Sequence, residues 1–392
     1  MKASERSQVP PFAVMSVLQR VAELRARGRD VISLCAGEPS QGAPSDVRRR
    51  AEEVLADRRH LGYSETFGIR PLRVELARHY RRWYGLEIQP DQIALTTGSS
   101  GAFVLAFLAA FGPGDRVALT RPGYPAYRNI LSTLGCEVVE LDCGEEVRFQ
   151  PTAALLAAAH EQAPLAGLVV ASPANPTGTM LAPDQLAGLV TWCREHDVRL
   201  ISDEIYHGVT FTGSVGTCAW QFDPRSIVIS SFSKFWGMTG WRLGWCLLPS
   251  ELVAAVDALA GNFALCPPVP AQHAALGAFT DQSYAEAEAA VREFADARVV
   301  LLAAIDRLGW SKVAPADGAF YVYADIGHVL GPHVDSEAWC AALLDFEGVA
   351  LTPGTDFDRV HGRTAVRLSL AAGPEAVAAA VVRILRFQDH QA

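Results

Sequence analysis

The sequence predicts an α/β protein: a large domain built on a mostly parallel sheet flanked by helices, joined to a smaller α+β domain. Three observations predict it. From about residue 91, short and nearly continuous apolar runs alternate with longer stretches of helical periodicity. Such alternation gives a parallel sheet covered by helices on both faces. Beyond the last run, a long helical pattern leads into isolated strands and helices, an α+β arrangement. The chain has 392 residues, 50% of them hydrophobic and 20% charged. That is enough to bury a large core without disulfides or metals, and too apolar for a disordered chain.

Residues 14–27, VMSVLQRVAELRAR, carry apolar positions at helical spacing and stop before Gly28. A short strand, VISL, and the turn-rich Gly37-Glu38-Pro39-Ser40 come next. The runs IALTT (93–97), RVALT (116–120), GLVVAS (167–172), VRLISD (198–203), SIVISS (226–231) and LGWCLL (243–248) read as strands buried on both faces. A helical pattern over 284–308 leads to the strands GAFYVYADI (318–326) and GRTAVRLSL (362–370). EAWCAALLDFEG and PEAVAAAVVRILRF read as helices. There is no internal repeat and no low-complexity linker. The expected division is an N-terminal arm with part of the small domain (1–46), a large domain (47–290) and the rest of the small domain (291–392).

The net charge of −9 argues against nucleic acid, which needs a basic footprint. The longest apolar run, 102–111, is about half of what crosses a bilayer, and MKASERSQVPPF has no apolar core of a secretory signal. No membrane partner is expected. The eight cysteines are dispersed with no CxxC pair, which reads as reduced core thiols in a cytoplasmic protein. The ten histidines do not cluster, so no metal is expected.

In open α/β sheets ligands bind beyond the carboxyl ends of the strands. Gly98-Ser99-Ser100-Gly101-Ala102 follows IALTT and opens a helix, which makes either an anion site at the helix N-terminus or an ordinary tight turn. Asp203 ends VRLISD; a buried carboxylate there calls for a cationic partner such as a protonated ring nitrogen, or caps the next helix. SIVISS runs into Phe232-Ser233-Lys234-Phe235-Trp236-Gly237-Met238-Thr239-Gly240-Trp241-Arg242. Only Lys2, Lys234 and Lys312 are lysine, against thirty-one arginines. Lys234 alone stands among aromatic and small residues, where an amine loses proton affinity and becomes a nucleophile and base; the bland reading is a snorkelling surface lysine. Arg242 suggests a guanidinium aimed at an anion. Ser172-Pro173-Ala174-Asn175-Pro176-Thr177-Gly178 is turn chemistry that either presents the Asn175 amide to a ligand or forms a plain loop.

Taken together, SFSK…MTGWRLGW, SPANPTG, SDEIYHG, GAFYV and PGTDF…VRLSL, in this order, resemble the class I/II aminotransferase family of fold-type I pyridoxal-phosphate enzymes, from about residue 12 to about 385. The resemblance implies a seven-stranded large domain, a small domain from both chain ends, and a homodimer with shared active sites. It implies that Lys234 binds the cofactor covalently. Asp203 would pair with the pyridinium nitrogen, and Asn175 and Tyr206 would hydrogen-bond its phenolic oxygen. Tyr124 would stack on the ring. Gly98, Ser99 and Ser100, the Ser231 hydroxyl, Arg242 and a partner's Tyr63 would hold the phosphate. Arg367 would clamp the substrate α-carboxylate beside Gly37, with Asn175 also in reach. The implied activity is ping-pong exchange of an amino group between an L-amino acid and a 2-oxo acid.

Two departures bear on the substrate. Relatives that prefer acidic substrates carry a lysine where this chain has Ser100, or a partner's arginine in the loop that here reads Phe263-Ala264-Leu265-Cys266-Pro267-Pro268-Val269-Pro270. The expected donor is therefore neutral, apolar or aromatic. The resemblance also allows a Cβ–S lyase, a cyclopropane-forming synthase or a cofactor-dependent oxidase on the same scaffold. A regulator's effector module is a remoter alternative, since barely a dozen residues precede the first helical pattern.

Overall fold

The computed structural model describes residues 3–57 and 61–391. Its strands are β1 (Ile32–Ser33), β2 (Ile93–Thr96), β3 (Arg116–Arg121), β4 (Glu137–Asp142), β5 (Gly167–Ala171), β6 (Arg199–Asp203), β7 (Ile227–Ser231), β8 (Gly244–Leu247), β9 (Tyr321–Asp325), β10 (Val349–Ala350), β11 (Thr352–Pro353) and β12 (Ala365–Ser369). Seven of them form one sheet in the order β2-β8-β7-β6-β5-β3-β4. Neighbours pair in parallel, except that β8 runs against both β2 and β7.

The central strands are apolar throughout because both faces are covered. Leu168, Val170, Leu200 and Val228 pack into the core on one side of the sheet, while Val169, Ile201, Ile227 and Ile229 pack into the core on the other. Truncating one of these to alanine would open a cavity costing about 2–5 kcal/mol. The edge strand β4 is the one large-sheet strand that apolar runs do not reveal. Its sequence, EVVELD, is mostly half-exposed, so it mixes polar and apolar residues.

A second sheet, β11-β12-β9, is antiparallel, and a two-stranded parallel pair joins β1 to β10. The N-terminal segment is thus sewn to the C-terminal region, with the Ser369 amide also donating to the Leu34 carbonyl at 2.7 Å. Helix α1 (Ala13–Ala26) precedes β1. The helical pattern at 284–308 is the helix Asp281–Leu302 followed by a short turn, Ile305–Leu308.

The carboxyl ends of β5, β6 and β7 lie side by side in the sheet, and the chain turns from them into the segments bearing Asn175, Asp203 and Lys234. The helix Gly98–Ala110 begins after β2, with Gly98 at φ +69°. A Cβ on Gly244 would lie 2.7 Å from the Ser99 nitrogen, so glycine there lets the helix start press against β8.

Candidate active site

A cleft of about 420 Å³ lies at these strand ends, within the usual range for small-molecule sites. Lys234 is part of its wall. The turn that carries it is fixed by Ser231, whose hydroxyl donates to the Leu243 carbonyl at 3.0 Å and accepts from the Ser233 amide at 3.0 Å. The Lys234 amine donates to the Gly37 carbonyl at 2.6 Å. Removal from water, and then the Arg367 charge, push its pKa down to about 8 against the pull of Glu38 and Asp203. An amine with that proton affinity is a ready nucleophile near neutral pH.

Asp203 is 4% exposed. It accepts from the Tyr127 hydroxyl and, at 3.0 Å, from the Ile205 amide. Burial nevertheless pushes its pKa up to about 6, against those two hydrogen bonds and the Lys234 charge; a cation in direct contact would restore the carboxylate. Tyr124 stands edge-on to Tyr127, 5.3 Å between centroids, and stacks on Phe12 at 6.2 Å.

At another side of the cleft the helix Gly98–Ala110 starts without any side-chain cap, so the amides of its first turn have no partner from that source. Ser99 and Ser100 line the cleft. Arg242 lies across the helix start: a Cβ on Gly98 would come 2.5 Å from its Nη2, while its Nη1 donates to the Thr239 carbonyl at 2.8 Å. Amides, helix dipole and guanidinium together make a cradle for an anion.

Arg367 occupies the middle of β12 and is 4% exposed. Its Nη1 donates to Asn175 Oδ1 at 2.9 Å, and its Nη2 to the Cys35 carbonyl at 2.8 Å and Thr352 Oγ1 at 3.3 Å. Its Nε is buried without a partner. Register explains its position: Arg367 faces Tyr323 and Ser369 faces Tyr321, so Tyr321 is a diagonal neighbour on the same sheet face. The guanidinium carbon sits 4.3 Å from the Tyr321 ring centroid and 4.8 Å from that of Phe357. The Tyr321 and Tyr206 hydroxyls are 2.9 Å apart.

The cleft wall thus brings together Gly37, Ser99, Ser100, Tyr124, Asn175, Asp203, Tyr206, Lys234, Arg242 and Arg367, with Gly98 just behind. Two expected residues stand elsewhere. Ser231 is buried beneath the Lys234 turn, where its hydroxyl is committed to that turn; Ser233 lines the cleft instead. Tyr63 is 82% exposed and outside the cleft. Tyr127, Tyr321 and Ser233, and a wall supplied by Phe12, Val14, Met15 and Leu18, also line the cleft without having been expected there. Tyr127 and Tyr321 do stand inside quoted motifs, RPGYPAY and GAFYV.

A parallel sheet presenting a reactive amine, a buried carboxylate and an anion cradle at its carboxyl edge defines a fold-type I pyridoxal-phosphate-dependent transferase. Comparison with known proteins agrees. The family model for aminotransferase class I and II matches residues 29–385. The valine–pyruvate aminotransferase of Mycobacterium tuberculosis is 52% identical over 94% of both chains, and the aspartate/prephenate aminotransferase of Thermus thermophilus is 34% identical over 96% of both. The crystal structure of an aminotransferase from Mycobacterium tuberculosis superposes with a TM-score of 0.96 over the whole of both chains, at 49% identity. The chain belongs to the class I and II aminotransferases: it is a pyridoxal-phosphate-dependent enzyme acting on amino acids and 2-oxo acids.

The residues present suit that cofactor. The uncapped helix start and Arg242 suit a phosphate, and the hydrogen bonds to Asp203 come from the neutral Tyr127 and Ile205, so a protonated ring nitrogen would supply it a cation in direct contact. The orphaned Nε of Arg367 suits a substrate carboxylate.

Proposed function

We propose that this aminotransferase takes a neutral, aliphatic amino acid as donor and a small 2-oxo acid as acceptor, with valine and pyruvate the leading pair. The observation that carries this reading is the use of positive charge in the cleft. Among its lining residues the cations are Lys234, Arg242 and Arg367. Each has a task at the amine, phosphate or α-carboxylate, so none is left for a second carboxylate. Helix α1 adds Val14, Met15 and Leu18 to the wall, and the remaining charges besides Asp203, Glu38 and Asp356, are acidic and would repel an acidic side chain. The 52% identical relative is named for valine and pyruvate.

In this reading Lys234 holds the cofactor and, once freed, takes the α-proton of the amino acid. The bound cofactor supplies an electron sink for the charge that this proton leaves behind. Asp203 keeps the ring nitrogen protonated, and Tyr124 covers the ring. Asn175 and Tyr206 would donate to the phenolic oxygen. The amides of Gly98, Ser99 and Ser100, with Arg242 and Ser233, would hold the phosphate, and Ser231 braces Ser233 by the 2.8 Å hydrogen bond between their hydroxyls. Arg367, beside Gly37, fixes the α-carboxylate by a planar fork that lysine could not reproduce. Tyr63, exposed and outside this chain's cleft, would reach a phosphate only in a second copy, as in a homodimer with shared sites. Free cysteines, seven of the eight buried, support a cytoplasmic setting; among the described residues no helix is long and apolar enough to cross a membrane.

Steady-state rates with pyruvate and a panel of amino acids test the assignment. Valine and its aliphatic neighbours should exceed aspartate and glutamate in kcat/KM by about 10²-fold or more, since an unpaired carboxylate in this cleft costs several kcal/mol. Preference for an acidic donor would overturn it.

A further inference from the structure

We propose that Tyr321 is a positioning residue that couples the two halves of the site, its hydroxyl ordering Tyr206 and its ring carrying Arg367. Tyr321 is fully buried at the start of β9. Its hydroxyl is 2.9 Å from that of Tyr206, and its ring lies 4.3 Å from the Arg367 guanidinium carbon. A Cβ on Gly37 would come 3.1 Å from the same hydroxyl, so the backbone that accepts the Lys234 amine also packs on Tyr321.

Two neutral hydroxyls at this distance share one hydrogen bond and leave one proton over. Burial keeps both phenols protonated. When an acceptor faces Tyr206, the arrangement that uses both protons has Tyr321 donating to Tyr206 and Tyr206 donating to the acceptor. Each bond in such a chain polarises the next. The inference rests on the reading that this acceptor is the phenolic oxygen of the cofactor. A donor on that oxygen competes with the proton of the linking nitrogen and favours its loss. Tyr321 therefore strengthens the effect of Tyr206 through the bond between their hydroxyls. The ring meanwhile holds the guanidinium by cation–π attraction, which is stronger away from water.

The two contributions separate in the holoenzyme. Tyr321→Phe removes the hydroxyl and keeps the ring. The pH midpoint at which the lysine-bound cofactor changes its absorbance should rise by about 0.3–1 unit, with KM for the amino donor changed less than about twofold. Tyr321→Leu removes both and should also raise KM about 3–30-fold; should it fail to fold, Tyr321→Met serves in its place. Tyr206→Phe is the reference and should raise the midpoint more than Tyr321→Phe does. If Tyr206→Phe shifts the midpoint and Tyr321→Phe leaves it within about 0.1 unit of wild type, the hydroxyl has no such part and the coupling is refuted. Equal KM values for the Phe and Leu variants would refute the ring's part. A Tyr206→Phe enzyme with an unmoved midpoint would instead overturn the assignment of Tyr206 to the phenolic oxygen, and the coupling with it.

Discussion

Burial, and then the nearby Arg367 charge, push the pKa of the Lys234 amine from the ordinary 10.5 down to about 8. Between those two values the folded chain binds fewer protons than the unfolded one. Burying this group therefore opposes the fold fully below about 8, and that opposition is relieved as pH rises through the window to 10.5. The same shift sets how quickly the cofactor is captured. In apoenzyme mixed with pyridoxal phosphate, the rate of covalent binding should climb about tenfold per pH unit up to roughly 8 and then level off. Stopped-flow absorbance measures it, and a rate still climbing at pH 10 would show an ordinary lysine. That Lys234, Asp203, Asn175, Tyr206 and Arg367 line one cleft was legible in the sequence, because such polar groups are rare at the end of a buried strand or stand in motifs that resemble the family's. Tyr127 and Tyr321 were not. Their importance lies in partners 76 and 115 residues away, Asp203 and Tyr206, and hydroxyl pairings of that span come only from the fold.

Among the elements, α1 shows how the cleft's apolar wall is held. Its N-cap residue, Phe12, provides no side-chain bond and its first turn has no acidic residue. The cap comes from far along the chain: Asp356 accepts from the Ala13 amide at 3.0 Å and the Val14 amide at 3.4 Å. That carboxylate adjoins Phe357, which packs against Arg367, so the carboxylate clamp and the wall formed by Val14, Met15 and Leu18 share one support. Asp356→Ala should cost α1 about 1 kcal/mol. KM for an apolar donor should then rise about two- to tenfold with kcat less affected, and amides 13–18 should exchange faster with solvent. Unchanged KM alongside faster exchange would separate α1 from substrate binding. The helix itself was readable from its periodicity. Its cap was not, because nothing in the sequence near residue 13 announces an acidic partner beyond residue 350. The strand β1 was read within VISL, but β10 and β11 escaped notice, each being two residues long and too short to carry a pattern.

For the whole molecule, the alternation of apolar runs and helices was enough to foresee the large parallel sheet, since strands covered on both faces leave a plain record in composition. Assembly leaves a weaker one. Tyr63, Phe263 and Leu265 are 82%, 65% and 52% exposed, and Thr66 lies 3.7 Å from where a Cβ on Gly261 would stand, which places their two segments side by side. Leu265 is also held at φ +59°, a costly backbone for a leucine presented to solvent. Exposed apolar side chains brought together in this way mark a candidate subunit contact. In sequence it looks the same as any loop with a few apolar residues. If this face joins two copies, Leu265→Arg should shift the enzyme from dimer to monomer in sedimentation and lose cofactor along with activity, because each site would be missing the partner's tyrosine. Tyr63→Phe should stay dimeric yet bind pyridoxal phosphate about 10–100-fold more weakly, the worth of one hydrogen bond to a charged phosphate. A monomeric Leu265→Arg enzyme that keeps full cofactor affinity would place the whole phosphate site within one chain and leave Tyr63 without a part in it.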